Sequence, residues 1–210
     1  MFGGSFDPPH LGHVSLAQAG LAMGLDEVWV IPALPVHREL SGLADARTRF
    51  EWLVQIFENQ PCVQVLDWEI SRQQPTPAIK TLRQFHQMYA QTTPWLMMGA
   101  DTWAGLPTWR EYPAHRDLCN VAVFARRGIA LETVCAHNGW RRVDINDGLD
   151  CHQLDCHQSG CWAYIPADLP DISATGVRHD AQQGVSLTGN VPEVVRKKIE
   201  QAYGKAMENM

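Results

Sequence analysis

The N-terminal segment of this 210-residue chain concentrates residue types that bind phosphate. It reads Met-Phe-Gly-Gly-Ser-Phe-Asp-Pro-Pro-His-Leu-Gly-His over residues 1–13. Gly3 and Gly4 let the backbone approach a phosphate closely and turn amide N–H groups toward it. His10 and His13 are three residues apart at a predicted helix start, so their imidazoles share one face next to an anion-attracting helix N-terminus. The segment predicts a triphosphate cradle; the alternative is two histidines that cap a helix and satisfy a buried carboxylate.

A second phosphate-binding pattern lies near the other end of the chain. Residues 172–178 read Ile-Ser-Ala-Thr-Gly-Val-Arg. Ser173 is a typical helix cap, which leaves the first helical amides pointing at a ligand, and Arg178 adds a planar fork of N–H donors. Two such patterns in one chain predict a nucleotide site more strongly than either does alone.

The elements that must position these residues alternate between strand and helix, which predicts an α/β fold. Strands are expected at 27–31, 63–66, 95–98, 121–125 and 162–165. Helices are expected at 11–23, after a cap at Asp45, from Thr76 with Pro77 in the first helical position, after Ser173, and over 191–207. The pattern indicates a Rossmann-like, doubly wound, mostly parallel sheet with helices on both faces, in a single domain over 1–210 with a variable excursion at 129–159. Ligands bind such folds beyond the C-terminal strand ends, where loops 3–13, 32–38, 99–109, 125–128 and 173–178 are expected.

Composition and charge narrow the function classes. The formal net charge is −6, which disfavours broad attraction to nucleic acid or to an anionic membrane surface. The chain has neither a signal-peptide pattern nor an apolar stretch long enough to span a bilayer, so we expect a cytoplasmic protein with reduced thiols. The sequence does not decide whether the protein forms a homo-oligomer.

A run of cysteine and histidine at 151–161 raises the question of zinc. The thiols Cys151, Cys156 and Cys161 are separated by two equal gaps, whereas structural zinc sites usually pair their thiols two to four residues apart, twice. A variable loop with free thiols is therefore the favoured interpretation over a zinc site. We expect no stoichiometric zinc and no dedicated metal ligands.

The two phosphate patterns resemble the signatures of the nucleotidyltransferase superfamily, His-x-Gly-His and Ile-Ser-x-Thr-x-x-Arg. The form Gly-Gly-Ser-Phe-Asp-Pro-Pro-His at 3–10 is similar to that of bacterial nicotinate-nucleotide adenylyltransferases. The similarity extends to Pro-Val-His-Arg at 35–38, Gly-Ala-Asp at 99–101, Pro-Thr-Trp at 107–109 and Phe-Ala-Arg-Arg-Gly at 124–128. It covers most of residues 2–128 and 160–200.

The resemblance implies that ATP and nicotinate mononucleotide give nicotinate adenine dinucleotide and pyrophosphate, with Mg²⁺ accompanying ATP, as a step of NAD biosynthesis. It assigns the catalytic roles to His13, His10 and Arg178, with His13 steadying the transferring phosphoryl group. It assigns ATP binding also to Gly3, Gly4, Ser5, Phe6, Gly99, Asp101, Ile172, Ser173 and Thr175. It assigns mononucleotide binding to Arg38, Trp109 and Ser5, with the indole stacked on the pyridine ring.

The sequence departs from the family pattern at three places. Only Met1 and Phe2 precede the glycines, so either the first strand is short or the natural chain starts further upstream. Pro77 stands where the family often has Tyr, and Gly176 loosens the first turn of a helix. Two alternatives stay open: an enzyme like phosphopantetheine adenylyltransferase, which shares both phosphate motifs, and a nucleotide-binding sensor without turnover.

Overall fold

Seven parallel strands form the centre of the described part of the protein. The computed structural model describes residues 1–34, 44–126, 134–145 and 158–204. Its strands are β1 Phe2–Gly4, β2 Val28–Pro32, β3 Val63–Val65, β4 Trp95–Gly99, β5 Asn120–Arg126, β6 Arg141–Val143 and β7 Cys161–Ala167. They pair in the orders β1-β2-β3 and β4-β5-β7-β6, and every pairing is parallel.

The first residue joins these two groups of strands. The Met1 ammonium nitrogen donates to the Trp95 carbonyl at 2.7 Å, and the Met97 N–H donates to the Met1 carbonyl at 2.8 Å. The strands therefore run across the molecule in the order β3-β2-β1-β4-β5-β7-β6, with β1 and β4 side by side.

Helices cover both faces of the sheet. Successive residues of a strand point to opposite faces, so the apolar side chains on each face pack against helices. The helices are α1 Leu11–Ala22, α2 Ala46–Phe57, α3 Ala78–Met88, α4 Ala100–Gly105, α5 Ala174–Gln182 and α6 Glu193–Tyr203. Val30 packs in one core with α1 and α2, whereas its neighbour Ile31 packs in the other core with α3 and α4. Helices α5 and α6 pack against Trp52 of α2. The predicted Rossmann-like α/β class is confirmed.

The sheet has its switch point between β1 and β4. The chain leaves β1 toward α1 on one face and leaves β4 toward α4 on the other. Because the two connections diverge, a crevice opens beyond the C-terminal ends of these strands, the place where folds of this class bind ligands.

Three element boundaries differ from the sequence predictions. Pro77 is the N-cap rather than the first residue of α3, since its extended backbone (ψ 141°) precedes the helical residues. The C-terminal helix begins at Glu193, after a Pro192 cap, and ends at Tyr203, where Gly204 leaves the helical conformation. Within the predicted excursion, Arg141–Val143 forms β6 because its backbone pairs with β7. In the described part of the chain no helix has the length and apolar character needed to cross a bilayer.

Candidate active site

The first two candidate residues lie at the N-terminus of α1. His10 is the N-cap residue, and its backbone N–H donates to His13 Nδ1 at 3.1 Å. A neutral imidazole that accepts at Nδ1 carries its proton on Nε2. The two rings stack with their centroids 3.7 Å apart. The helix start therefore presents a fixed Nε2–H donor from His13 beside the His10 ring.

Both histidines are neutral in the free protein. Burial lowers the pKa of His10 to about 4. Burial, and then the nearby His10, hold the pKa of His13 well below its usual value. His10 Nδ1 is buried and has no hydrogen-bond partner among the described residues. A buried polar atom without a partner is costly, and the His10 side chain lies against the His13 backbone N–H in the first turn of α1.

Gly12 is what allows the His10 ring to lie there. A Cβ at position 12 would come within 3.0 Å of His10 Cε1 and Nδ1, closer than van der Waals contact permits. The glycine in the predicted His-x-Gly-His signature thus keeps the space that the first imidazole fills.

The second motif reaches the same loop from the other end of the chain. Ser173 caps α5, accepting from the Gly176 N–H at 3.1 Å, as predicted. Arg178 donates through Nη1 to the Asp7 carbonyl and through Nη2 to Thr175 Oγ1 at 3.2 Å. Its Nη1 also lies 3.7 Å from Asp7 Oδ2. The structure therefore brings the two phosphate motifs together at Asp7.

The sequence analysis predicted Arg178 but gave no role to Asp7 itself or to Tyr203, Ala44 and Arg49 around this loop. The buried Asp7 carboxylate accepts at Oδ1 from the Tyr203 hydroxyl and from the Ala44 N–H. Arg49, also buried, donates to the carbonyls of Ser5, Ala33 and Ala44. Asp7 Oδ1 thus has partners other than the two histidines, whereas the buried Oδ2 has no hydrogen-bond partner among the described residues and faces Arg178 at 3.7 Å. His13 does cap its helix. The sequence contains one signal of the buried role of Arg49. This charged residue lies three positions before Trp52 and four before Leu53, and so falls on the apolar face of α2.

A deep cavity of about 1010 Å³ opens beside this loop, between the sheet and α3. Its volume is at the upper end of the usual range for ligand pockets. Gly3, Gly4 and Ser5 line one side, and Gly99, Thr102 and Trp109 line another. A Cβ built at Gly3 or Gly99 would meet no atom within 4 Å. Neither the two histidines nor Arg178 line this cavity, so the phosphate motifs adjoin it across the Gly3–Ser5 backbone.

The remaining candidates fall into three groups. Trp109 is half-buried in the cavity wall, and Asp101 is exposed in the first turn of α4 without lining the cavity. Two apolar side chains pack inward. The Phe6 ring is buried and meets the His13 ring edge-on, with the ring centroids 4.9 Å apart. Ile172 packs against the core of α5 and α6. The fully buried Phe6 can contribute only backbone groups to a ligand, whereas Ile172 is partly buried. Arg38, with the whole 35–38 segment, and Arg127 lie outside the described residues.

The cysteines give no zinc ligand set in the described structure. Cys161 is buried on β7, and Arg141 Nη2 donates to its sulfur at 3.0 Å. Cys151 and Cys156 lie outside the described residues. No group of three or more His, Cys, Asp or Glu side chains that could hold a metal ion occurs in the part of the chain that the structure describes. That the protein holds no stoichiometric zinc stays a prediction.

Comparison with known proteins agrees with this geometry. The family model described as cytidylyltransferase-like matches residues 1–180. A "Probable nicotinate-nucleotide adenylyltransferase" of Thermotoga sp. (strain RQ2) is 30% identical over 211 residues, which cover 97% of this chain and 95% of the relative. A protein of the same name from Clostridium novyi is 28% identical over 93% of this chain and 92% of its own.

Solved structures show the same fold. The Plasmodium falciparum nicotinic acid mononucleotide adenylyltransferase complexed with NaAD superposes with a TM-score of 0.69 at 16% identity, covering 95% of this chain and 93% of that one. The same enzyme complexed with APC gives a TM-score of 0.66. The chain belongs to the cytidylyltransferase-like family and, within it, to the nicotinate-nucleotide adenylyltransferases.

Proposed function

We propose that the protein transfers the adenylyl group of ATP to nicotinate mononucleotide, giving nicotinate adenine dinucleotide and pyrophosphate. The observation that carries the proposal is the meeting of the two phosphate motifs at Asp7, beside a cavity large enough for a nucleotide. The relatives' names and the dinucleotide-bound neighbour support this choice of substrates.

The chemistry needs little from the protein beyond position and charge. An oxygen of the mononucleotide phosphate attacks the α-phosphorus of ATP, the new P–O bond forms, and the bond to the bridging oxygen breaks to release pyrophosphate. The nucleophile is already anionic, so no general base is required. The rate then depends on holding the two phosphates in line and stabilising charge on the transferring group.

His13 is the residue best placed to stabilise that charge. Because its Nδ1 accepts from the His10 backbone, its Nε2–H is held in one orientation before the substrate arrives. A fixed donor needs no reorganisation during reaction, which is the property of a transition-state stabiliser. His10, Arg178 and the amides of Gly3 to Ser5 complete the proposed cradle, with Ser173 and Thr175 at the N-terminus of α5.

We propose that Mg²⁺ enters as the magnesium complex of ATP and neutralises phosphate oxygens. Magnesium commonly binds through substrate phosphates with few protein ligands. Near the cradle, Asp7 is already engaged by Tyr203, Ala44 and Arg178, so it fits a structural role better than a metal-ligand role. Asp101, exposed at α4, is proposed to bind a ribose hydroxyl.

The cavity is proposed to hold the mononucleotide. Trp109 would stack on the electron-poor pyridine ring, and Ser5 and Arg38 would contact the rest of the molecule. The negative net charge and the free thiols Cys62, Cys119, Cys135 and Cys161 support a cytoplasmic enzyme whose substrates are small molecules rather than nucleic acid or membrane.

One assay tests the proposal against its rivals. The purified protein is mixed with ATP, Mg²⁺ and one acceptor at a time: nicotinate mononucleotide, nicotinamide mononucleotide or phosphopantetheine. We expect pyrophosphate release with nicotinate mononucleotide and, more slowly, with its amide. Pyrophosphate release with phosphopantetheine alone would identify the protein as a phosphopantetheine adenylyltransferase. ATP binding without pyrophosphate release with any acceptor would identify it as a nucleotide-binding sensor.

A further inference from the structure

His115 is a buried imidazole in the wall of the cavity, and the proposed chemistry gives it no role. It lies on the short 3₁₀ helix Ala114–Asp117, is 1% exposed and lines the cavity. Its Nδ1 is buried and has no hydrogen-bond partner among the described residues. Leaving such an atom unpaired costs stability, so its presence at a ligand cavity calls for a polar group on the ligand.

The position of His115 identifies which end of the substrate it faces. Its ring packs edge-to-face against Trp109, with the centroids 5.7 Å apart. If Trp109 stacks on the pyridine ring, as proposed above, His115 lies at the ring end of the mononucleotide rather than at its phosphate. The polar group at that end is the carboxylate in the acid substrate and the carboxamide in its competitor.

We propose that His115 is the specificity-determining residue that selects the pyridine carboxylate over the carboxamide, by donating a hydrogen bond to the carboxylate from its imidazole. The inference rests on the proposed function. A hydrogen bond to a carboxylate is roughly twice as strong as one to a neutral acceptor. The imidazole takes up a proton from solvent as the acid binds, because a neighbouring anion favours its charged form.

The charged groups around His115 permit its imidazole to become protonated. Glu111 and Arg83 act electrostatically on His115, and Cys119 donates to its backbone carbonyl. Arg116 and Asp117 follow it on the same 3₁₀ helix, and Glu69, Lys80 and Arg110 line the same cavity. Arg83 and Glu111 pair with each other at 2.7 Å and act on the pKa of His115 in opposite directions, Glu111 raising it and Arg83 lowering it. Burial is the main cause that lowers the pKa of His115 in the free protein. A bound carboxylate supplies the missing counter-charge.

Two exposed cations, Lys80 and Arg110, are rival donors in the same wall, and Arg110 directly follows Trp109. Lys80 is the one carried by a helix. It is exposed on α3 and lines the cavity, so its ammonium group could also attract an anion. It is a flexible, hydrated charge with other conformations open to it, whereas the His115 ring is fixed by packing. The buried, preorganised group is the stronger selector.

The test compares both mononucleotides in each variant. We expect His115→Leu to reduce kcat/KM for the acid about tenfold more than for the amide, and His115→Asn, which restores an amide donor near Nδ1, to recover part of that preference. His86→Leu, which removes an imidazole outside the cavity, should keep the wild-type preference, and so should Lys80→Met and Arg110→Met. An unchanged acid-to-amide ratio in His115→Leu, or a ratio lost in Lys80→Met or Arg110→Met instead, would overturn the inference.

A binding measurement keeps the test independent of turnover and separates it from the proposed function. Titration calorimetry with a non-hydrolysable ATP analogue present, at pH 7 in two buffers of different ionisation enthalpy, counts protons taken up. Because both mononucleotides carry the same phosphate, the difference between them isolates the ring substituent. We expect extra proton uptake with the acid in wild type and none in His115→Leu. Equal uptake for acid and amide in wild type contradicts the role of His115, whereas failure of the wild type to form any dinucleotide contradicts the proposed function.

Discussion

The Tyr203 hydroxyl donates a hydrogen bond to the buried Asp7 carboxylate across 196 residues of sequence. Burial, and then this hydrogen bond, raise the pKa of Tyr203, so the phenol stays protonated and remains a donor. Asp7 in turn accepts from the Ala44 N–H and lies beside Arg178. The last helix therefore fixes the loop that carries the first phosphate motif.

Replacing Tyr203 with Phe removes this donor and leaves the buried Asp7 carboxylate short of a partner. We expect the free energy of unfolding to fall by about 1.5–3 kcal/mol, the usual value of a hydrogen bond to a charged group, as measured by urea denaturation. Tyr89→Phe, at the exposed end of α3, is the matched control and should change it by less than ~0.5 kcal/mol. Equal stabilities of the Tyr203 variant and wild type would show that Asp7 does not depend on this bond.

Removing His13 should slow turnover strongly while the protein stays folded. We expect His13→Ala to lower kcat at least ~100-fold, the typical loss for one preorganised donor to transition-state charge. His13→Asn sharpens the test, because its amide oxygen can still accept from the His10 N–H while the Nε2–H donor is gone. Steady-state kinetics and thermal unfolding should find the Asn variant as stable as wild type but slow. A near-normal kcat in either variant would rule out the proposed role.

Local sequence patterns predicted the parts of the site that are built from neighbours in the chain. Asp45 caps α2 through the Thr48 N–H at 3.0 Å, and Ser173 caps α5, as their spacing indicated. The same reasoning wrongly placed Pro77 at the first helical position of α3. Proline suits both the N-cap and the first turn of a helix, and only the backbone angle distinguishes the two positions.

The parts that sequence patterns missed depend on contacts between distant segments. Tyr203 and Arg49 carry no motif, and their roles follow only from the packing of α6 and α2 against the loop after β1. Strand β6 was missed because Arg141 and Arg142 are exposed at the edge of the sheet, where a strand lacks the apolar pattern of a buried one.

Arg178→Lys should weaken the use of ATP. The guanidinium bonds the Asp7 carbonyl and Thr175 Oγ1 at once, and a lysine ammonium keeps the charge but not the planar fork. We expect the KM for ATP to rise about tenfold, a loss of ~1.4 kcal/mol of binding. Arg47→Lys, in an exposed pair with Glu51, is the control. ATP kinetics that match wild type would remove Arg178 from the site.

The buried His10 predicts how stability depends on pH. Its pKa is about 4 in the folded protein against 6.5 for the free side chain, so the unfolded chain binds the extra proton between these values. The His10 contribution to stability is therefore full above pH 6.5 and falls as the pH drops toward 4, by up to ~3 kcal/mol. The Met1 amino group, whose pKa burial lowers from 8.0 to about 5, adds its own loss of stability as the pH falls from 8 to 5. Urea unfolding at several pH values should give a shallower slope for His10→Asn, and an identical slope would contradict the shift.

Trp109 should govern binding of the mononucleotide and leave ATP nearly unaffected. The indole is half-buried in the cavity wall, away from the two histidines and Arg178. Aromatic stacking contributes ~0.5–1.5 kcal/mol beyond the buried area. Trp109→Ala should therefore raise the KM for the mononucleotide roughly tenfold. Trp68→Ala, which removes a half-buried indole outside the cavity, should lower stability without this effect. Because stacking does not read the ring substituent, acid and amide forms should weaken together. If the KM for ATP rises instead and that for the mononucleotide is unchanged, Trp109 belongs to the adenosine side of the site.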